Sequence, residues 1–327
     1  MKIAVVLDGR AGHEKQSLAI VYALRELVKV EVRQLALDRV SGIKRLRDLS
    51  RLFFRADGGC DDVLDDCDLV LGTGSRTHVL LLACKKKYSI PAVTCMAPEP
   101  YLRNRFDLCC VPRHDGLTEG GNIFLTDGPP VIPAPELARD PRSGLILIGG
   151  VDEKSHTWNS AEICEFVLEI AKKEAGVHWK VSSSPRTPAD CVELMLAAEQ
   201  KLANLSFFHF RDTPRGWLEE QYAQATYVWV TADSISMIYE AITSGCKVGT
   251  LPVAWKRENN KFQKSIDFLT AKGLVLPFSE AGLQQIASCN PGNFNEARRC
   301  AREIVDRFFP ATPHSSLLTP HPSHITS

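Results

Sequence analysis

The segment over residues 226–252 constrains the fold more than any other part of the chain. An apolar strand over residues 227–230 runs into a short polar turn, and a helix follows that ends at Gly245. A second apolar strand then covers residues 247–251. A strand, a helix and a second strand in this order are typical of an α/β sheet with helices packed on its faces.

The helix of this segment places four side chains on one face, because Asp233, Ser236, Met237 and Glu240 fall at i, i+3, i+4 and i+7. Small polar residues at a helix N-terminus suit a phosphate, since free N–H groups and the helix dipole both point there. A carboxylate two turns further along suits the paired hydroxyls of a ribose. With Ser234 in the turn, the pattern predicts a binding site for a nucleoside diphosphate.

Strands and helices alternate along most of the chain, and several strands are continuous apolar runs, which are typical of a parallel sheet covered on both faces. Five prolines over residues 127–142 indicate a linker, after which the pattern starts again. We therefore predict an α/β fold of two Rossmann-like doubly wound domains facing each other across a cleft. The predicted domains cover residues 1–135 and 142–309, and residues 310–327 form a disordered tail rich in Pro, Ser, Thr and His.

Composition excludes several classes of protein. The formal net charge is zero, which argues against a nucleic-acid binder, since such proteins usually carry a basic face. No run of about 18 apolar residues exists that would predict a transmembrane helix, and the N-terminus lacks the pattern of a signal peptide. The 11 cysteines are scattered without zinc-ligand spacing, so a reduced cytosolic protein is expected.

Polar loops follow most of the predicted strands, and ligands of doubly wound sheets bind at the carboxyl ends of strands. If the two domains face each other, these loops converge on one cleft. The loops are residues 8–13, 72–77, 96–99 and 112–115 in the first domain, and residues 149–150, 182–187 and 231–236 in the second.

Each loop also has a purely structural interpretation. Gly12 can serve only a tight turn, Gly74 and Ser75 can cap a helix rather than cradle an anion, and Arg186 can be a surface cation rather than a pyrophosphate ligand. The sequence of residues 9–12 is not the dinucleotide-binding fingerprint, so an NAD site is not supported.

Three first-domain loops contain candidate acid–base groups. His13 can deprotonate an acceptor hydroxyl, and Glu99 is a carboxylate held rigidly between two prolines. His114 beside Asp115 is either a general acid–base pair or part of a solvated loop.

A basic amphipathic segment covers residues 39–55 and precedes an acidic stretch that runs from Asp57 to Asp68. Such a segment can lie on an anionic membrane surface. The interpretation that we favour is an ordinary helix packed on its own sheet. The acidic stretch is interpreted as a solvated turn, because its spacing is not that of a calcium loop.

Several motifs together resemble the elongated-mitochondria fission-factor family, whose bacterial members are provisionally assigned as glycosyltransferases of the lipopolysaccharide type. The motifs are DGRAGHEKQS, GTGSRTH, FDLCCVPRHD, LILIGG, SSSPRTP, VTADSISMIYEA and KFQKSIDFLTAKGLVLPF, in that order over about residues 1–309. The family in turn is similar to GT-B glycosyltransferases such as the peptidoglycan lipid-intermediate GlcNAc transferase. The resemblance implies a GT-B fold with an acceptor domain first and a nucleotide-sugar domain second.

The resemblance also implies a function and a site. The expected activity is metal-independent transfer of a sugar from a nucleotide-sugar donor to a cell-envelope acceptor, in the cytoplasm or peripheral to the inner membrane. The expected catalytic residues are His13, Glu99 and Asp115. The expected substrate-binding residues are Gly12, Gly74, Ser75, His114, Gly150, Arg186, Thr231, Asp233, Ser234, Ser236, Met237 and Glu240, with no metal site and no cofactor besides the nucleotide-sugar substrate.

Two alternatives stay open from the sequence. A nucleotide-sugar epimerase on the same fold would need several carboxylates and a His in the cleft, and this chain has them. An adaptor with a vestigial nucleotide pocket is implied by the role of the plant family members in recruiting the division machinery. The expected partners are a nucleotide sugar, a glycan or glycolipid acceptor and a membrane surface contacted peripherally, but no nucleic acid.

Overall fold

The computed structural model describes residues 1–37, 64, 66–258, 260–279 and 286–310. The basic segment over residues 39–55, the acidic stretch before Asp66 and the tail beyond Pro310 lie outside the described residues, so their interpretations stay predictions.

The first sheet has six parallel strands in the order β2-β1-β3-β4-β5-β6. The strands are β1 (Lys2–Leu7), β2 (Glu31–Ala36), β3 (Leu69–Thr73), β4 (Ala92–Cys95), β5 (Leu108–Pro112) and β6 (Ile123–Thr126). In the part of the chain that the structure describes, the connecting helices are α1 (Ala11–Leu27), α2 (His78–Tyr88) and the short α3 (Pro100–Arg103). The strand order reverses between β1 and β3, so the carboxyl ends of these two strands form the topological switch point of this sheet.

The second sheet also has six parallel strands, in the order β10-β9-β7-β11-β12-β14. The strands are β7 (Asp140–Leu147), β9 (His178–Ser182), β10 (Leu205–Phe208), β11 (Ala225–Thr231), β12 (Lys247–Leu251) and β14 (Val275–Pro277). The helices are α4 (Ser160–Lys173), α5 (Ala189–Glu199), α6 (Trp217–Gln224), α7 (Ile235–Thr243) and α8 (Lys261–Ala271). A small antiparallel pair joins β8 (His156–Thr157) to β13 (Ala254–Trp255). The switch point of this sheet lies between β7 and β11.

The last helix, α9 (Glu296–Phe308), follows the second sheet in sequence but packs on the first. Its Cys300, Ala301 and Ile304 are buried in one apolar cluster with Ile20 and Leu24 of α1. The first sheet with α1–α3 and α9 is the first unit below, and the second sheet with α4–α8 is the second unit.

The α/β prediction with two doubly wound parallel sheets is confirmed. The predicted second domain included residues 296–309, whereas α9 completes the core of the first unit, because its apolar stripe fits against α1. The boundaries at residues 135 and 142 stay predictions. Helix α1 begins at Ala11, so Gly12 and His13 lie in its first turn rather than in a preceding loop as predicted.

Some strands and helices of the structure were not predicted correctly from the sequence. Strand β7 begins at Asp140, inside the predicted linker, because its first residues are polar and exposed. Strand β6, helix α8 and the β8–β13 pair were also not predicted. No helix among the described residues is long and apolar enough to cross a membrane.

Candidate functional site

The switch point of the second unit is held together by hydrogen bonds between the ends of β7 and β11. The Gly149 N–H donates to Thr231 Oγ1 at 2.7 Å, and the Gly150 N–H donates to Asp233 Oδ2 at 3.2 Å. The turn that follows β11 is therefore fixed against the turn that follows β7, and both lie at the place where ligands enter such sheets.

Arg186 lies in the loop after β9, and its side chain extends into the corner that these two turns form. Its Nη2 donates to Asp233 Oδ2 at 2.7 Å and to Ser234 Oγ at 3.2 Å, and its Nη1 donates to the Gly150 carbonyl at 3.2 Å. The side chain of Asp233 is only 1% exposed, whereas that of Arg186 is 42% exposed. The guanidinium thus neutralises a buried carboxylate and still presents one face to the solvent.

Two glycines allow the backbones in this corner to approach closely. A Cβ atom on Gly150 would lie 2.0 Å from the carbonyl oxygen of Arg186, and one on Gly149 would lie 2.2 Å from Asp233 Oδ2. The loop over residues 184–187 is tied to β7 by the Ser184 hydroxyl, which donates to the Gly149 carbonyl at 2.7 Å. A side chain at Gly150 would push this loop away from the switch point, and one at Gly149 would displace the side chains of Asp233 and Ser234.

Helix α7 begins at Ile235 with Ser234 as its N-cap residue, and Ser234 makes no capping bond to the helix with its side chain. The N–H groups of a first helical turn have no intrahelical acceptors and carry the positive end of the helix dipole. Ser236 is exposed and Met237 is half-buried on the face that was predicted from the spacing. The N-terminus of α7 can therefore accept an anion.

Glu240 lies two turns along α7 and is partly buried, with 23% of its side chain exposed. Burial raises the pKa of this carboxyl, Lys15 of the first unit opposes the shift, and Glu219 adds to it. Its Oε2 accepts from the Tyr222 hydroxyl at 3.5 Å. A carboxylate held in this way can accept hydrogen bonds from two neighbouring hydroxyls.

An aromatic surface lies at the carboxyl end of β10 and was not predicted. The rings of Phe208 and Trp217 are 5.0 Å apart, and those of His209 and Phe210 are 4.6 Å apart. Trp217 begins the same helix, α6, that carries Tyr222. The sequence does not show which rings meet. In the structure, part of this surface lies on α6, whose Tyr222 contacts Glu240.

The switch point of the first unit holds an imidazole against a buried carboxylate. His13 Nδ1 lies 2.9 Å from Asp8 Oδ2, and the side chain of Asp8 is fully buried. The Arg10 N–H donates to the other carboxylate oxygen at 3.1 Å. The ring packs directly on Gly74, where a Cβ would lie 2.3 Å from Nδ1. Asp8, which was not among the predicted site residues, thus fixes the orientation of His13.

A second pair of this kind joins the start of α2 to the loop after β4. His78 Nδ1 lies 2.8 Å from Glu99 Oε2, and the His78 side chain is 1% exposed with Phe106 against its ring edge. Met96, just before Glu99, has a left-handed φ of 79°, which costs energy for a residue with a side chain. His78 was not predicted as a site residue, because in the sequence it stands at the start of an apolar helix.

The predicted His114–Asp115 pair is arranged differently. Both residues are exposed on a short 3-10 turn after β5, and His114 Nε2 lies 3.7 Å from Asp115 Oδ1, too far for a hydrogen bond. Ser75 is exposed in the turn after β3. The contacts of the described residues do not connect His114 or Asp115 to the His13 pair, and their roles stay predictions.

Contacts between the two units bring the switch points to a common cleft. Lys15 Nζ of α1 lies 3.9 Å from Glu240 Oε1 of α7. The Tyr239 hydroxyl donates to the Asp127 carbonyl at 2.9 Å, and Lys272 forms an ion pair with the Asp127 carboxylate. Lys15 of the first unit therefore extends to the half of the cleft that contains Glu240, and His13 lies two residues before it in α1.

Metal-ligand geometry does not occur in the part of the chain that the structure describes. No group of three or more His, Cys, Asp or Glu side chains there converges as a metal site would require. The expectation of a metal-independent reaction stays a prediction.

Known structures with the same architecture match nearly the whole chain. A Listeria monocytogenes protein assigned as a UDP-N-acetylglucosamine 2-epimerase shares 14% identity, with a TM-score of 0.62 over 97% of this chain and 99% of that one. MurG from Acinetobacter baumannii shares 16% identity, with a TM-score of 0.53 over 94% and 99%. A further UDP-N-acetylglucosamine 2-epimerase shares 15% identity, with a TM-score of 0.52 over 94% and 96%. At these identities the likeness shows the fold, which is the two-domain GT-B fold of glycosyltransferases and epimerases, as expected from the sequence.

The model of a family described as mitochondrial fission ELM1 matches residues 11–308 of the chain. No curated protein matches it.

Proposed function

The chain belongs to the mitochondrial fission ELM1 family, and we propose that it transfers a sugar from a nucleotide-sugar donor to an acceptor hydroxyl. The observation that carries the proposal is the corner formed by the Gly149–Gly150 turn, Arg186 and the N-terminus of α7, with Glu240 two turns along the same helix. The corner combines an anion-binding helix end and a cation, which suit phosphates, with a carboxylate, which suits the hydroxyls of a ribose.

The donor occupies the second unit in this proposal. The diphosphate lies at the N-terminus of α7 beside Ser234, Ser236 and Arg186, and the ribose hydroxyls donate to Glu240. The base stacks on the aromatic surface of Phe208, His209, Phe210 and Trp217, since a π face binds a base without requiring one base identity.

The acceptor occupies the first unit, and His13 is the general base. Asp8 accepts from Nδ1–H, so the Nε2 lone pair is available for the acceptor proton and the imidazolium that results is stabilised. The acceptor oxygen attacks C1 of the sugar, the bond from C1 to the β-phosphate oxygen breaks, and the nucleoside diphosphate leaves. Arg186 and the dipole of α7 stabilise the charge on the departing diphosphate without a metal ion.

The biological setting is also part of the proposal. The acceptor is a glycan or glycolipid of the cell envelope, of the lipopolysaccharide type. The enzyme works in the cytoplasm, or peripherally at the inner face of the membrane, where such acceptors and nucleotide sugars meet.

A thermal-shift screen over nucleotide sugars tests the donor site. We expect one nucleotide sugar to raise the melting temperature of the wild type, and Glu240→Ala to abolish the rise because the ribose loses its acceptor carboxylate. Glu220→Ala is the matched control, since Glu220 is exposed on the neighbouring helix α6. If no nucleotide sugar raises the melting temperature, the transferase proposal fails and an adaptor role is favoured.

Epimerisation of the donor is a second candidate, favoured by the two carboxylate–imidazole pairs of the first unit. Asp8 with His13 and Glu99 with His78 flank the loop after β3, and an epimerase needs more than one acid–base group in its cleft. Product analysis separates the two reactions. A second epimer of the sugar formed without an acceptor would exclude the transferase, whereas a sugar appearing on an added glycan acceptor would support it.

A further inference from the structure

The donor corner of the second unit contains little net positive charge. Its cation, Arg186, is paired at 2.7 Å with Asp233, whose carboxylate is almost completely buried. The helix dipole adds only about half of a unit charge at its N-terminus. A diphosphate carries more negative charge than this corner balances, and the charge on its leaving oxygen grows as the sugar departs.

A further cation approaches the same corner from the opposite side of the cleft. Lys15 is the fifth residue of α1, two residues after His13, and its side chain is 69% exposed. Its Nζ is 3.9 Å from Glu240 Oε1, within ion-pair range but too far for a hydrogen bond. The ammonium is therefore attracted to the proposed ribose carboxylate without being fixed to it.

A bound ribose would change the position of this lysine. Its hydroxyls donate to the Glu240 oxygens, so the carboxylate no longer needs the ammonium as its partner. The phosphates attached to that ribose lie next to it, and the flexible four-carbon stem of lysine allows its charge to be redirected over a short distance.

We propose that Lys15 of the first unit is a ligand of the donor diphosphate, so that the donor site is divided between the two units. This inference rests on the proposed function and adds a residue to it. In this structure Lys15 pairs with Glu240, and in the donor complex it contacts the phosphates and joins the units across the nucleotide.

Binding of nucleosides and nucleoside diphosphates by isothermal titration calorimetry tests the proposal. Uridine, guanosine, cytidine, adenosine and thymidine are compared with their diphosphates on the wild type and on Lys15→Gln. We expect Lys15→Gln to weaken binding of the diphosphate about tenfold or more, as for loss of a charge-assisted hydrogen bond. Binding of the matching nucleoside should change by less than about twofold, and Lys15→Arg should restore most of the diphosphate affinity.

Arg25→Gln is the control, because Arg25 is an exposed cation at the other end of α1. Raising the salt concentration should weaken diphosphate binding less in Lys15→Gln than in the wild type, since one ionic contact is missing. Equal losses for nucleoside and diphosphate, or the same loss in Arg25→Gln, would overturn the role of Lys15 while leaving the donor site in place. Failure of every diphosphate to bind the wild type would instead refute the proposed function, and the role of Lys15 with it.

Discussion

Replacement of Gly150 by alanine should damage both the stability of the second unit and its nucleotide binding. The added Cβ would lie 2.0 Å from the Arg186 carbonyl oxygen and 2.1 Å from the carbonyl carbon, whereas real Cβ contacts below 3.0 Å essentially do not occur. The obstacle is backbone, so the loop over residues 184–187 must withdraw by about 1 Å or more. That movement breaks the hydrogen bond from the Val151 N–H to Arg186 O, which is 3.0 Å long.

The expected cost follows from these two effects. Overpacking costs about 1–3 kcal/mol, and the lost hydrogen bond adds about 1 kcal/mol. A total of about 2–4 kcal/mol corresponds to a decrease in melting temperature of roughly 3–6 °C for a chain of 327 residues, at about 2.1 cal/mol/K of unfolding entropy per residue. Nucleotide affinity should fall as well, because Arg186 moves away from Asp233 and from the N-terminus of α7.

Urea denaturation and differential scanning fluorimetry measure the stability, and calorimetry with nucleotides measures the binding. Gly176→Ala is the matched control, since a Cβ there would meet no atom within 4 Å. A Gly150→Ala protein whose melting temperature and nucleotide affinity match those of Gly176→Ala would refute the close approach of the two loops.

Three other perturbations test other parts of the site. Asp8→Asn should lower the rate of sugar transfer by about 10²- to 10⁴-fold while donor affinity is unchanged, because His13 loses the carboxylate that fixes its tautomer; equal rates in a radiolabelled transfer assay would contradict the assignment of His13 as base. Glu240→Gln should stabilise the nucleotide-free protein near pH 7.5, because burial raises the pKa of Glu240 in the folded state and the ionised carboxyl is penalised there. That gain should shrink as the pH falls and vanish below the ordinary pKa of 4.5, where the carboxyl is protonated in both the folded and the unfolded state. Urea melts at several pH values measure the difference between the two proteins, and a constant or opposite difference would contradict the argument. The ten described cysteines should react with a thiol reagent only on unfolding, since all are buried and burial raises the pKa of Cys109 and Cys191 to about 12; several fast-reacting thiols in the native protein would contradict this.

The sequence predicts the strands and the donor corner because both are encoded locally. Apolar runs mark β3, β11 and β12, and the spacing from Asp233 to Glu240 defines one face of α7 before any tertiary contact is known. The structure confirms the sheets, while the roles of the site residues stay predictions.

Contacts between distant positions could not be predicted in the same way. His78 and Glu99 are 21 residues apart, and nothing in an apolar helix start shows that its first side chain meets a carboxylate after the next strand. The pattern of α9 gives the apolar face of the helix but not the sheet on which that face packs. Lys15 likewise reads as an ordinary surface residue until the two units are placed together.

The return of α9 to the first sheet affects how the protein is made. Ribosomal synthesis delivers β1–β6 early, yet Cys300, Ala301 and Ile304, which complete the core against α1, are added only after all of the second sheet. During translation an apolar face of α1 therefore stays uncovered until α9 has been synthesised, whereas the second unit can fold before that. The order of maturation is expected to be the reverse of the order of synthesis, and the acceptor half of the cleft becomes complete last.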